Sequence, residues 1–168
     1  QEIPFMAELI YDVNASDNDA VASYAVNDTM NFTIDADSGI ITNNSILIVG
    51  NYDLIITVTD ANSRTTSSII SVSVVDTEDP TWNEIPTDQT AEVGYSFRYD
   101  VNASDNDAVA SYAVNDTTNF TINTEGVLVN NSHLEVGSYA LSLTITDVNE
   151  RTTDPVVITI TVADTEDP

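Results

Sequence analysis

The sequence predicts an all-β protein made of two tandem Greek-key β-sandwiches placed end to end. Short runs of apolar and polar residues alternate with a period of two, and no stretch has the 3.6-residue period of an amphipathic helix. The sequence also contains one long internal repeat, and its five glycines fall between the alternating runs, where turns require them. Together these three observations predict two copies of a strand-rich domain.

The internal repeat sets the domain organisation. The string YDVNASDNDAVASYAVNDT at Tyr11–Thr29 recurs unchanged at Tyr99–Thr117, a spacing of 99 − 11 = 88 residues. The string DTEDP at Asp76–Pro80 recurs at Asp164–Pro168 with the same spacing. A unit of this length is a domain, because the turns of a solenoid repeat after about 20–50 residues.

We therefore predict one sandwich over residues 1–79 and a second over residues 80–168, joined where acids and a proline interrupt the strand pattern. The first copy has a shorter start. Its E-I-P at residues 2–4 matches E-I-P at residues 84–86, which suggests the same beginning with about six residues removed. Either the shortened first strand suffices, or the first sandwich has an open edge that invites strand addition from another chain.

Each alternating run is interpreted as a half-buried strand. The second copy predicts strands over Tyr95–Val101, Val109–Val114, Asn119–Asn123, Val127–Asn130, Tyr139–Ile145 and Val156–Val162, and the first copy repeats the pattern at Leu54–Val58 and Ile70–Val74. Six or seven short strands with turns between them, in about 90 residues, are typical of a Greek-key sandwich.

The charge balance is strongly acidic, with 28 acidic residues, three arginines, no lysine and a formal net charge of −25. Such a field repels nucleic acids and anionic lipids and favours cations. The alternative is that the acids only solvate the surface or adapt it to high salt. The absence of cysteine excludes disulfides and thiolate metal sites. No apolar stretch approaches the ~18 residues of a membrane helix, and no signal peptide is recognisable, so we expect a mature product or an excised piece of a longer protein.

The order of motifs resembles a cadherin-type repeat, in particular the dystroglycan-type cadherin-like modules of microbial surface proteins. The second copy carries the pattern as Glu92, Ala103-Ser104-Asp105-Asn106-Asp107, Tyr112, Phe120-Thr121-Ile122, Gly126, Tyr139-Ala140-Leu141, Thr146-Asp147 and the linker Asp164–Pro168. Trp82 fills the aromatic position after the first linker. The resemblance covers almost the entire chain and implies an immunoglobulin/cadherin-like fold.

The resemblance also implies calcium between consecutive domains. The implied ligands are Asp76, Glu78 and Asp79 from the linker, Asp105, Asp107 and Asp147 from the second domain, and their first-domain equivalents Asp17, Asp19 and Asp60. Calcium takes six to eight hard oxygen ligands, and packed carboxylates repel one another unless a cation neutralises them. The alternative is that these aspartates are only turn and edge residues.

Three departures from the family pattern predict fewer ions than in vertebrate cadherins, one or none at a junction. The linker is short, and the Asp-Arg-Glu motif is replaced by Ile46-Leu47-Ile48 in one copy and His133-Leu134-Glu135 in the other. The first copy has no clear counterpart of Glu92.

Eight sequons are candidate N-glycan acceptors in a secreted protein, although a chain this rich in Asn, Ser and Thr produces some by composition alone. They lie at Asn14, Asn27, Asn31 and Asn43 in the first copy and at Asn102, Asn115, Asn119 and Asn130 in the second.

The residue set does not favour an enzyme. Cysteine and lysine are absent, and the single histidine, His133, is an isoleucine in the first copy. The candidate acids recur at the same positions of both copies, which suits metal binding better than a catalytic cleft. The sequence predicts an extracellular structural or adhesive module of a bacterial or archaeal surface, stiffened by calcium. Its partners would be copies of itself or neighbouring repeats, arranged head to tail as a stalk or fibre.

The alternative is a glycan-binding accessory module of a secreted protein, which would use exposed aromatic residues such as Trp82 and Tyr95. A stalk predicts buried aromatic rings, whereas a lectin predicts an exposed aromatic platform beside acids.

Overall fold

Sixteen strands and no helix make up the regular structure of residues 1–166, the part of the chain that the computed structural model describes. The last two residues of the second DTEDP string, Asp167 and Pro168, lie outside the described residues. The chain separates into two units, Gln1–Thr77 and Glu78–Pro168. Within the described range, no segment has the helical length and hydropathy needed to span a membrane.

The first unit has two sheets that enclose one core. Its strands are β1 (Glu2–Pro4), β2 (Ile10–Asp12), β3 (Val21–Val26), β4 (Phe32–Ile34), β5 (Ile40–Asn43), β6 (Gly50–Asp60) and β7 (Thr65–Val75). One sheet has the order β1-β7-β6-β3 and the other the order β2-β5-β4. All pairs are antiparallel except β1 with β7.

The second unit repeats this topology and adds one strand pair. Its strands are β8 (Thr81–Trp82), β9 (Gln89–Glu92), β10 (Arg98–Asp100), β11 (Ala103–Ser104), β12 (Val109–Val114), β13 (Phe120–Ile122), β14 (Val127–Asn130), β15 (Gly137–Asp147) and β16 (Val156–Ala163). The sheets have the orders β9-β16-β15-β12 and β10-β14-β13, and β8 pairs with β11. Here too the amino-terminal edge strand, β9, runs parallel to its neighbour.

The alternating residues of the strands form the cores. In β15, Leu141, Leu143 and Ile145 are fully buried while the residues between them are half-buried. Phe120 lies at the centre of the second core, edge-on to Phe97 at 6.1 Å and to Tyr139 at 5.8 Å between ring centroids. The predicted all-β class and tandem sandwich fold are confirmed, since each unit has two sheets, antiparallel except for one edge pair, around an apolar interior.

The amino-terminal strand of the first unit corrects the predicted alignment of the two copies. Glu2 of β1 lies opposite Ser73, and Thr90 of β9 lies opposite Thr161, so each position corresponds to the one 88 residues later. The E-I-P of residues 2–4 is therefore equivalent to Thr90–Glu92. The predicted match to residues 84–86 was wrong. It relied on three identical residues, whereas the strand pairing aligns residues 2–4 with residues 90–92.

Two backbone hydrogen bonds support this register. Phe5 N donates to Val75 O at 2.7 Å, and its equivalent Val93 N donates to Ala163 O at 2.9 Å. Because β1 pairs with β7 within its own unit, the first of the two alternatives holds: the shortened first strand suffices. In the described residues, the regular structure of the first unit begins with β1, at the position equivalent to Thr90.

A glycine and a proline set where two strands of the second unit begin, and the start predicted for the second of these, Val156, is confirmed. The strand that was predicted to begin at Tyr95 begins only at Arg98. Gly94 (φ +84°) lies in a turn in which the Tyr95 amide donates to Glu92 O. Whereas β7 runs without a break from Thr65, its counterpart β16 starts at Val156, directly after Pro155, which lacks a backbone donor.

Candidate metal centre

Two loops at one end of the second sandwich hold acids in fixed geometry. The Asp105 Oδ1 atom accepts a hydrogen bond from the Asp107 amide at 3.0 Å, which forms a tight turn after β11. At the end of β15, Asp147 Oδ1 accepts from the amides of Asn149 at 2.8 Å and Arg151 at 2.9 Å. Asn149 Nδ2 then donates to Asp107 Oδ2 at 3.2 Å, so the two loops are tied together.

Three oxygen atoms in these loops are buried without a hydrogen-bond donor. They are the second carboxylate oxygens of Asp105 and Asp147 and the side-chain carbonyl oxygen of Asn106. Asp147 is 2% exposed, and within residues 1–166 it is the one charged residue that is buried. A carboxylate oxygen of Asp105 lies within 4.8 Å of one of Asp147. Buried acceptors without donors and neighbouring like charges are both unfavourable, and a hard cation would relieve both.

The chain segment before β9 covers these loops. β8 pairs with β11, and the Asn83 amide donates to Asn102 O at 3.0 Å. Half-buried Trp82 lies against Tyr112, with 5.9 Å between ring centroids. Pro80 is buried as well. This segment shields the Asp105 loop from water, which strengthens electrostatic interactions there.

The linker acids lie in different environments. Asp79 is exposed and forms an ion pair with Arg151, with 2.7 Å between Oδ1 and Nη2. Glu78 is also exposed. Asp76 directly follows β7 and is half-buried.

The first unit builds the same framework from acids that are more exposed in the described structure. Asp17 Oδ1 accepts from the Asp19 amide at 2.9 Å, and Asp60 Oδ1 accepts from the amides of Asn62 and Arg64, both at 2.8 Å. Asn62 Nδ2 donates to Asp19 Oδ2 at 3.2 Å. Asp17 and Asp19 are exposed and Asp60 is half-buried.

Three side chains around the second-unit acids were not among the predicted site residues. Asn106 contributes one of the three buried oxygens without a donor, Asn149 ties the loops, and Arg151 pairs with Asp79. The Asp-Asn-Asp string contained the first of these, because carboxamide oxygens bind calcium as carboxylates do. The roles of Asn149 and Arg151 depend on a turn that brings them back to the loop of Asp105, which the sequence does not reveal.

Glu92 binds the second DTEDP string through Thr165. Its carboxylate accepts from the Thr165 amide at 2.8 Å and from the Thr165 hydroxyl at 2.6 Å. These hydrogen bonds, that of the hydroxyl first, lower the pKa of Glu92. Nearby, Tyr95 donates its hydroxyl to Glu166 Oε1 at 2.8 Å, which raises the pKa of Tyr95. Pro4 occupies the equivalent position of Glu92 in the first unit, as the missing counterpart predicted.

The aromatic residues are mainly internal. Three phenylalanine rings are buried, those of Phe32, Phe97 and Phe120. Trp82 packs on Tyr112 rather than standing out from the surface, while Tyr95 is 59% exposed. An aromatic platform formed with Trp82 therefore has little support, which weighs against the glycan-binding alternative.

The eight sequon asparagines form four equivalent pairs, which lie in three kinds of environment. In the first kind, the side-chain Nδ2 group donates a hydrogen bond, as in Asn31, Asn43, Asn119 and Asn130. Asn27 and Asn115 accept a backbone amide with Oδ1. Asn14 and Asn102 are exposed, and within residues 1–166 their side chains make no hydrogen bond. Asn27 and Asn115 are exposed as well.

No protein-family model matches the chain, and no curated protein sequence matches it. The fold is similar to that of the titin domains Z1Z2 in their complex with telethonin, with a TM-score of 0.54, 12% identity, and coverage of 100% of this chain and 93% of that one. At this identity the similarity shows the fold alone.

Two further solved structures are similar at lower TM-scores. Drosophila N-cadherin EC1-4 gives a TM-score of 0.46 at 22% identity over 97% of this chain, which spans 47% of the cadherin chain. The fibronectin(III)-like modules of Clostridium thermocellum CbhA give 0.41 at 16% identity, covering 100% and 93% of the two chains. The chain is thus similar in fold to immunoglobulin-like tandem sandwiches.

Proposed function

We propose that this chain is a structural or adhesive repeat of an extracellular surface, bacterial or archaeal, and that calcium bound to its second unit stiffens it. The observation that supports the proposal is the set of three buried oxygens without donors, from Asp105, Asn106 and Asp147. All three are hard ligands of the type that calcium prefers. Sulfur is absent from the set and the single histidine lies elsewhere, so a zinc-type site is disfavoured.

Further ligands are available in the same region. Asp107 continues the loop of Asp105, and Glu78 and Asp79 precede the covering strand β8. Asp76 is a further candidate from its place in the linker sequence. Seven oxygen-bearing side chains, counting those of the core set, are enough for a coordination number of six to eight when some bind through water.

The same chemistry is proposed to be weaker in the first unit. Asp17, Asp19 and Asp60 have the equivalent hydrogen bonds but are solvated, so a cation there gains less from neutralising them. Its affinity is expected to be below that of the second unit.

The mechanical role follows from the covering strand. An ion held by Asp105 and Asp147 would link the loop after β11 to the end of β15, and a ligand from Glu78 or Asp79 would attach the linker to both. Such cross-links restrict a short acidic segment that otherwise repels itself. A module of this kind has no need of catalysis, and it would work with neighbouring repeats or further copies of itself in a stalk or fibre. Sugars would be carried by the exposed sequon asparagines Asn14, Asn27, Asn102 and Asn115.

The test is calcium titration of chelator-stripped protein by calorimetry, with thermal melting of the second unit in calcium and in chelator. We expect one dominant site with a dissociation constant on the order of 0.1–1 mM, as in extracellular modules. Calcium at about 100 times the dissociation constant would stabilise the second unit by about 2.7 kcal/mol.

Asp105→Asn and Asp17→Asn form a matched pair, because the two residues occupy equivalent positions. Asp105→Asn should abolish the dominant site and should raise the melting temperature in chelator, since it removes a buried charge without a partner. Asp17→Asn should change neither calcium binding at the dominant site nor the melting temperature in chelator. Absence of heat at several millimolar calcium, or equal losses in the two variants, would contradict the proposal.

A further inference from the structure

An arginine lies against the acidic loops of the second unit. The backbone amide of Arg151 donates to Asp147 Oδ1 at 2.9 Å, and its Nη2 atom lies 2.7 Å from Asp79 Oδ1. The Arg151 side chain is 36% exposed, and its Nε atom is buried without a hydrogen-bond acceptor. A fixed positive charge is therefore placed beside the carboxylates that suit a hard cation.

The position of this arginine is repeated in the chain. Asp60 and Arg64 have the same spacing as Asp147 and Arg151, and the Arg64 amide donates to Asp60 Oδ1 at 2.8 Å. Arg64 also lines a cavity of about 210 Å³ together with Asp17 and Asp60. The sequence has three basic residues, so two of its three positive side chains lie at the two equivalent aspartate loops.

The contact with Arg151 occupies a carboxylate that the linker would give to calcium. A calcium ion that shared Asp79 with the guanidinium would lie close to a second cation, and like charges repel strongly where bulk water is excluded. Water is excluded from part of this region, because Asp147 is 2% exposed and its second oxygen, like that of Asp105, is buried without a donor. Calcium and Arg151 are therefore competitors for Asp79.

We propose that Arg151 sets the calcium affinity of the second unit by competing for Asp79. Without calcium, the guanidinium holds Asp79 and supplies part of the positive charge that the buried carboxylates lack. When calcium binds, Asp79 leaves Arg151 and turns to the ion. The inference rests on the calcium site proposed above, and it adds a residue that lowers the affinity of that site.

This exchange of ion pairs makes the contributions of Arg151 and Asp79 depend on each other. While Arg151 is present, breaking its ion pair offsets much of what Asp79 contributes as a calcium ligand. Once Arg151 is removed, Asp79 contributes in full. The effect of Asp79→Asn on calcium affinity should therefore depend on the residue at position 151, as is usual for two groups in contact.

The test is calcium titration by calorimetry of the full chain and of Arg151→Gln at about 0.15 M salt. Arg151→Gln should bind calcium about tenfold more tightly, because competition and charge repulsion are both removed. Arg98→Gln is the matched control, since it also removes one positive charge and one ion pair, with Asp100 at 2.8 Å, but at an exposed residue of β10. Its calcium affinity should stay within about twofold of that of the unsubstituted chain.

Two further variants separate charge from shape. Arg151→Lys keeps the positive charge and should keep the weaker calcium affinity. Asp79→Asn should lower the affinity at least about fivefold in the Arg151→Gln background, but less than about twofold in the unsubstituted chain. In chelator, Arg151→Gln should lower the melting temperature of the second unit, whereas Arg98→Gln should not, because exposed ion pairs contribute little to stability.

The outcomes distinguish the failure of this inference from the failure of the calcium site. No heat of calcium binding in either the unsubstituted chain or Arg151→Gln would reject the site and the role of Arg151 together. Calcium binding with equal affinity in these two proteins, or an equal gain in Arg98→Gln, would overturn the role of Arg151 alone. Equal losses from Asp79→Asn in the two backgrounds would overturn the competition for Asp79.

Discussion

The two units carry the same residues in their first acidic loop, yet only one of these loops is enclosed. Asp105 and Asn106 are half-buried with oxygens that lack donors, whereas Asp17 and the adjacent Asn18 are exposed. Hydrogen bonds within the loops are equivalent, at 2.9 Å from Asp19 N to Asp17 Oδ1 and 3.0 Å in the second unit. The local sequence therefore does not account for the difference.

The covering segment accounts for it. β8 and the residues that follow lie on the second unit's loop. Among the described residues of the first unit, no strand pairs with the equivalent stretch Ala15–Ser16. Identical aspartates can thus be solvated turn residues in one unit and a candidate cation site in the other. A motif in a tandem repeat has its chemistry set partly by whatever precedes the domain that contains it.

The largest expected effect tests whether the two frameworks are the same. Gly126 has φ +80°, and a Cβ there would lie 2.1 Å from Val101 O; Gly39 has φ +78°, with 2.6 Å to Val13 O. Gly126→Ala and Gly39→Ala should each cost more than about 3 kcal/mol. Denaturant unfolding measures these free energies. The fluorescence of Trp82, the single tryptophan, follows unfolding of the second unit, and circular dichroism follows unfolding of both units.

Gly94→Ala is the control for that pair. Gly94 also has positive φ, but nothing lies within 4 Å of its added Cβ, and Met6 adopts φ +67° at the equivalent position of the first unit. Its cost should be about 1 kcal/mol. If Gly39→Ala were as mild as this control, the two sandwiches would not pack alike around Tyr24 and Tyr112, which lie next to Gly39 and Gly126.

A smaller effect is expected from removing the cover. Trp82→Ala should destabilise the second unit by about 2 kcal/mol, less than for a fully buried ring, and should lower its calcium affinity towards that of the first unit. Calorimetric melting and calcium titration measure the two consequences. Ile85→Ala, at a 71% exposed residue of the same segment, is the control. An unchanged calcium affinity in Trp82→Ala would contradict the conclusion that burial by this segment distinguishes the two aspartate loops.

The smallest difference is expected at a turn that both units share. Hydrogen bonds from Asn31 lower the pKa of Asp28, and hydrogen bonds from Asn119 lower that of Asp116, both from 3.8. Because the folded-state pKa lies below the unfolded value, this stabilisation is complete above pH 3.8 and disappears as the pH falls through the folded pKa.

Asp28→Asn and Asp116→Asn should therefore destabilise their units by similar amounts at pH 7. The deficit relative to the unsubstituted protein should shrink on acidification, once the native carboxyls are protonated. Urea unfolding at pH 7 and near pH 3 measures both. A loss that persists at low pH would assign the effect to shape rather than charge.

Much of the fold could be predicted from the sequence because it depends on local periodicity. The alternation of Leu141, Leu143 and Ile145 with polar residues identified β15, and the predicted strands at Val109–Val114 and Val127–Asn130 have the observed bounds. The strand predicted from Tyr95 was too long, since a turn at Gly94 outweighs a run of alternating residues. The false E-I-P match shows that sequence letters alone do not fix which strand residues are partners.

The sequence by itself determined the β-sandwich class, the repeat, and the acidic residue types that suit a hard cation, because period-two patterning and composition are local properties of the chain. Only the tertiary structure decided which acids lose their solvent. Asp147 is buried because the end of β15 and the loop after β11 meet under residues distant in sequence. Desolvation depends on such non-local packing, and it is desolvation that separates the two otherwise identical aspartate loops.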